Sequence, residues 1–160
     1  MKSLSFLLFA FWCCCCSTDK EKDLASAGLN ESNLSMAQVS KISVSGSENA
    51  YSFSVTVESP DTGCDQYADW WEIIDLDGNL IYRRVLTHSH ATEQPFTRTG
   101  SNINLEKNTE VYVRAHMNTS GYGAKVQKGS VENGFTAAEL DIEFAKELQN
   151  KNPLPNGCEF

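Results

Sequence analysis

His88 and His90 form a His-x-His pair, and His116 completes the three histidines of the chain. Imidazoles suit zinc or copper, and two histidines at i and i+2 of an extended strand point the same way. His88, His90 and His116 are therefore candidate ligands for zinc or copper. His116 falls on a different strand by pattern, apart from the pair. One shared ion would need the loop over residues 87–95 to fold inward. The bland alternative is three histidines making ordinary hydrogen bonds. The same loop also holds Thr87, Glu93 and Gln94, with Arg98 just beyond. It is the richest polar stretch in the sequence, and special chemistry concentrates on such loops.

A second constellation is aromatic and charged. Trp70 and Trp71 are adjacent, so a strand must send them to opposite faces. Trp71 shares a face with Ile73 and is predicted to be core, while Trp70 shares one with Glu72. In the stretch 110–117, Val111, Val113, Ala115 and Met117 alternate with Tyr112, Arg114 and His116. Burying the second set would strand a guanidinium, which costs several kcal/mol unless it is paired. The apolar set is thus expected inside, and the other facing solvent or the C-terminal segment. Trp70, Glu72, Tyr112, Arg114 and His116 together make a candidate binding face for a sugar ring or a protein partner. The competing expectation is that the C-terminal segment covers Trp70 as a second small core.

Other acidic patterns carry little. Asp69, Glu72 and Glu93 offer carboxylate pairs of the glycosidase kind, but any acidic chain does. Asp75, Asp77, Gly78 and Asn79 lack the distant bidentate glutamate of a calcium loop and read as a hairpin turn. No GxSxG, P-loop, GxGxxG or HExxH occurs, so no catalytic residue is assigned and no enzyme is expected. The formal net charge is −8, from 13 basic and 21 acidic residues. Such a chain repels phosphate backbones, which argues against nucleic acid. With 160 residues, 41% hydrophobic and 21% charged, the chain suits one globular domain.

Six cysteines fall as four plus two. Cys64 and Cys158 are 94 positions apart, and two lone cysteines in an exported chain most often pair. That bridge would stabilise by roughly 4–5 kcal/mol in the chain-entropy description. It would pin the C-terminal tail to the loop before Trp70 and Trp71. The other four, Cys13, Cys14, Cys15 and Cys16, follow Lys2 and an apolar run over residues 4–12. That run has the layout of an export signal and is too short to span a bilayer, which takes about 20 residues. A cysteine ending such a run resembles a bacterial lipoprotein signal. The resemblance implies cleavage and acylation at one of the four, with Cys16 favoured because Ser17, Thr18 and Asp19 follow it. It implies a stable membrane anchor in a Gram-negative envelope, as an outer-membrane lipoprotein facing the periplasm or the cell surface. Residues 17–37 then read as a flexible polar tether.

The rest of the pattern is mostly strands. Val39, Ile42 and Val44 make a weak first one. Tyr51, Phe53, Val55 and Val57 alternate strictly with Ser52, Ser54 and Thr56, the signature of a half-buried strand. Strands follow at 70–75, 80–86, around Ile103 and Leu105, at 110–117 and at 124–131, with a polar loop over 87–100. Short strands at this spacing indicate an all-β, antiparallel two-sheet sandwich over 38–131. The stretch Leu105, Thr109, Val111, Tyr112, Val113, Arg114, Ala115, then Asn118 and Gly121, resembles the sixth strand and following turn of fibronectin type III and immunoglobulin-like domains. Such sandwiches host many functions.

Residues 132–160 form a separate C-terminal segment. Thr136 and Glu139 fit a capping box, and Leu140, Phe144 and Leu148 then make a helical stripe. The stretch also alternates, so 137–149 is a short helix or an extra strand, with helix preferred. The expectation is a lipid-anchored, non-enzymatic envelope sandwich that binds a glycan or a protein partner. The alternative is an envelope zinc or copper protein built on His88 and His90.

Overall fold

The computed structural model describes residues 35–159. The expected signal at 1–16, with its four cysteines, and residues 17–34 of the tether lie outside the described residues. Nine strands follow in order: β1 (Gln38–Ser47), β2 (Ala50–Glu58), β3 (Ala68–Asp75), β4 (Leu80–Val85), β5 (Phe96–Ile103), β6 (Val111–Met117), β7 (Gly121–Tyr122), β8 (Lys125–Ser130) and β9 (Gly134–Glu139). They make two antiparallel sheets, ordered β1-β2-β5 and β4-β3-β6-β8-β9, with β7 paired to β6. The fold is an all-β sandwich.

Period-two patterning builds the interior. In β2, Tyr51, Phe53, Val55 and Val57 are buried, and the residues between them are half-buried. They meet Trp71 and Ile73 of β3 and Val111, Val113, Ala115 and Met117 of β6 in one core, as the alternation requires. Gly100 of β5 is needed there, because a Cβ at this position would run into the rings of Tyr82 and Trp71 from the facing sheet. The β3–β4 hairpin closes through Asp75, whose carboxylate accepts from the backbone nitrogens of Asp77 (3.0 Å) and Asn79 (2.8 Å). Gly78 takes a left-handed φ of +86° in that turn, a region that glycine occupies without strain.

Two expectations need correction. The polar loop does not run to residue 100, because β5 begins at Phe96. Phe96 and Gly100 point inward while Thr97 and Thr99 face out, hydrogen-bonded to Thr56 (2.9 Å) and Ser54 (2.8 Å) of β2. The helix expected over 137–149 is also absent, and strand takes only the start of that stretch, since β9 ends at Glu139 and Leu140, Ile142 and Phe144 lie beyond it. The residues of β9 pair with β8, from Lys125 opposite Glu139 to Ser130 opposite Gly134. β8 has β6 on one side only, and its open row of backbone groups outweighs the weak local helical signal. Helical geometry survives as one 3-10 turn, Lys146–Asn150.

Candidate functional site

The outer face of β3 and β6 collects the aromatic and charged set that alternation selects. Glu72 lies opposite both Arg114 of β6 and Arg83 of β4 in the strand register. Arg83 Nε donates to Glu72 Oε2 at 2.7 Å, and Arg114 Nε donates to Oε1 at 2.9 Å. All three side chains are essentially inaccessible. Each guanidinium also lies over a ring: Arg83 at 4.4 Å from Trp70, and Arg114 at 3.5 Å from Tyr122.

Two guanidiniums against one carboxylate leave an excess positive charge. The tail after β9 supplies what is missing. Arg83 donates to the carbonyl oxygens of Leu148 (2.7 Å), Lys151 (2.5 Å) and Pro153 (3.1 Å). Arg114 donates to those of Phe144 (2.6 Å) and Ala145 (3.1 Å). Five backbone dipoles thus aim their negative ends at the cluster, and Leu148 packs its side chain beneath. The tail ends in the Cys64–Cys158 disulfide, Cα atoms 5.5 Å apart. A further bond runs from the Glu159 backbone nitrogen to the Thr87 carbonyl at 2.5 Å.

The open face expected at Trp70, Glu72, Tyr112, Arg114 and His116 is therefore corrected. The five residues do share one face, but the tail closes it. Trp70 is 3% exposed, Glu72 0%, Arg114 1% and His116 6%, and Tyr112 is half-buried against Phe144. Pairing the guanidiniums with Glu72 and with tail carbonyls removes the cost that alternation alone assigns to burying them.

The second titratable pair lies beside this cluster. His116 Nδ1 and Asp69 Oδ1 are 2.7 Å apart, both nearly inaccessible. The Trp70 ring stacks on the imidazole at 3.7 Å and 9°. Burial pushes the Asp69 carboxyl above its usual range, and the bond and charge of His116 draw it partly back. Burial likewise pushes the Tyr122 phenol up, with the Glu72 charge adding to it.

The His-x-His loop is organised elsewhere. Asp61 holds it from beneath: its Oδ2 accepts from the His90 backbone nitrogen (2.8 Å), and its Oδ1 from Ser59 Oγ (2.6 Å) and the Ala68 nitrogen (2.9 Å). The His90 ring stacks on Phe96 at 3.7 Å, with His88 at 4.6 Å. Both His90 ring nitrogens are buried without a hydrogen-bond partner. Burial lowers its pKa to about 4, helped by the charges of Arg98 and His88. His88 is exposed. Among the described residues no three His, Cys, Asp or Glu side chains come together as a metal site, so His116 does not join the pair. The carboxylates are separately engaged too. Glu72 is bound by two arginines, Asp69 by His116, and exposed Glu93 by Arg98 at 2.9 Å.

Arg83, Tyr122 and the tail carbonyls are the parts the patterning did not single out. The β3–β4 hairpin register already contains the signal for Arg83, because it places residue 83 opposite residue 72. Nothing in side-chain pattern announces a backbone carbonyl as a ligand.

No family model matches the chain, and no solved structure matches it. A protein of Halomicrobium mukohataei named "Putative lipoprotein" is 40% identical to it over 118 residues. The match takes in 74% of this chain and 56% of that protein. The chain thus spans a little over half the length of this relative.

Proposed function

We propose that this chain is an exported, lipid-anchored, non-enzymatic β-sandwich that binds a glycan or a protein partner at a membrane surface. The observation that carries the reading is the apolar run over residues 4–12, behind Lys2 and ending at four cysteines. The lipoprotein name of its relative supports it, as does a disulfide, which persists in oxidising compartments. In a Gram-negative cell the anchor would sit in the outer membrane. The sheet order β1-β2-β5 against β4-β3-β6-β8 agrees with the fibronectin type III resemblance. The test is cell fractionation with intact mass. The wild-type chain should stay with membranes and carry acyl mass on a cleaved N-terminal cysteine. Replacing Cys13, Cys14, Cys15 and Cys16 by serine should release it. Membrane retention of that variant with a cleaved signal would overturn the anchor.

A second reading, zinc or copper at His88 and His90, is favoured by the partnerless ring nitrogens of His90. Its low pKa keeps the ring neutral and able to bind metal. Metal bound by the wild type and lost in His90→Phe, read by elemental analysis, is the expected result of that reading.

A further inference from the structure

Between the β6–β7 turn and the 3-10 turn of the tail lies a groove of about 510 Å3, lined among others by Asp69, Trp70, His116, Thr119, Gln149 and Asn150. Its volume falls in the range of about 300–1,000 Å3 typical of small-molecule sites. The floor is held on every side. Asp69 fixes one edge of the His116 ring through Nδ1, Trp70 stacks on its plane, and Tyr122 meets it edge-on with centroids 4.8 Å apart. The bond to Asp69 occupies Nδ1 and leaves Nε2 free to hydrogen-bond a ligand. Among the described residues Nε2 has no protein partner, and neither do the side-chain amides of Gln149 and Asn150 or the Thr119 hydroxyl. Holding Asp69 in a buried position is a standing cost, since burial disfavours its charged form. A surface histidine needs no such support.

The groove's charges are already matched. Lys146 on its rim pairs with Glu143 at 2.7 Å, and Asp69 pairs with His116. What remains free is one imidazole nitrogen, one hydroxyl and two amides that both donate and accept. Leu154, 36% exposed, adds an apolar wall. That set matches a ligand whose hydroxyls alternate donor and acceptor around a C–H face, and it offers no uncommitted cation to a phosphate or carboxylate.

We infer that this groove is a saccharide-binding site, sized for one or two sugar rings, with His116 Nε2 hydrogen-bonded to a ligand hydroxyl and Gln149 and Asn150 completing the contacts. The inference rests on the binding-module reading and names its glycan arm and its site. Asp69 and Trp70 are positioning residues that act through His116.

The experiment is NMR titration of the full chain in a zwitterionic, sugar-free detergent, with cellobiose, maltose and chitobiose as probes and inorganic phosphate as control. At least one disaccharide should give saturable shifts in the Gln149 and Asn150 amides and in the His116 ring, and phosphate should give none. His116→Ala should weaken that binding at least about tenfold, the worth of one hydrogen bond. The double variant Gln149→Ala with Asn150→Ala, at a half-buried and an exposed position, should weaken it similarly with an unchanged backbone spectrum, which keeps the test sound if His116→Ala unfolds. Saturable shifts confined to another face would overturn the site while leaving a glycan-binding module. No shift with any disaccharide, or saturation by phosphate alone, would overturn both the site and the saccharide class. The fractionation result is independent of all of these outcomes.

Discussion

Glu72 and Arg83 face each other across the β3–β4 hairpin with Nε and Oε2 2.7 Å apart, and neither side chain reaches solvent. Arg83 spends its remaining donors on three carbonyls of the tail. Glu72 is thereby the hinge between the sheet and the segment that covers it. Its carboxylate fixes two arginines, and the arginines fix the tail.

Glu72→Gln keeps the shape and removes the charge, leaving two guanidiniums buried with only backbone dipoles between them. Breaking a buried pair this way costs about 3–5 kcal/mol. Urea unfolding should show a loss of that size, and hydrogen exchange should speed first at the amides of residues 144–152. Replacing Glu72, Arg83 and Arg114 together by apolar residues of similar volume should cost less than Glu72→Gln alone, because no unpaired charge remains. A triple variant weaker than the single one would contradict the account.

Reduction of Cys64–Cys158 should loosen the other end of the same strap. The chain-entropy description gives about 4–5 kcal/mol for a loop of this length. Native, unreduced protein should show no alkylatable thiol at either position. Cys64→Ser with Cys158→Ser should lower the unfolding midpoint by a matching amount, and proteolysis should begin after residue 153, beyond the last carbonyl held by Arg83.

Much of this was readable from residue types. Strict alternation named Val111, Val113, Ala115 and Met117 as core and put Trp71 inside and Trp70 on the other face, while the cysteine count in an exported chain paired Cys64 with Cys158. The tail is ambiguous because Thr136 and Glu139 fit a capping box while Leu140, Ile142 and Phe144 alternate as in a strand. Only the unfilled edge of β8, a tertiary fact, chooses between them. Arg114 misled for a related reason. Its burial is favourable only because Glu72, a tail carbonyl at 2.6 Å and a second at 3.1 Å are in place. The covering of Trp70 by the C-terminal segment is one of the two readings that the sequence allows, but backbone oxygens leave no mark on side-chain pattern, so the carbonyls that hold the cover in place are not legible, and neither is the groove beside His116.

Trp70→Ala should behave as a core truncation. The ring is 3% exposed, stacked on His116 and covered by Arg83. Its removal should cost about 3–5 kcal/mol in a denaturant titration. The His116 ring should also lose its fixed orientation, seen as averaged chemical shifts. An unchanged midpoint would mean that the tail does not seal this face in solution.

His90 sets the pH dependence. Its folded pKa is about 4, below the ordinary 6.5 of a histidine, because burial and the charges of Arg98 and His88 disfavour protonation, while Asp61 and Glu93 oppose the shift. The unfolded chain therefore takes up a proton here before the folded one does. The contribution to stability is fully present above about pH 6.5 and is lost as pH falls toward 4, by at most about 3 kcal/mol. Asp69, whose carboxyl is raised by burial, works in the opposite sense: its contribution is present at low pH and fades as pH rises through its folded value. Between pH 6.5 and 4 the wild type should lose with acid a stability that a variant without the His90 imidazole keeps. His90→Phe, which keeps a flat ring against Phe96 and cannot titrate, should flatten that loss. If the variant and the wild type lose stability in parallel over this window, His90 is not the group that protonates.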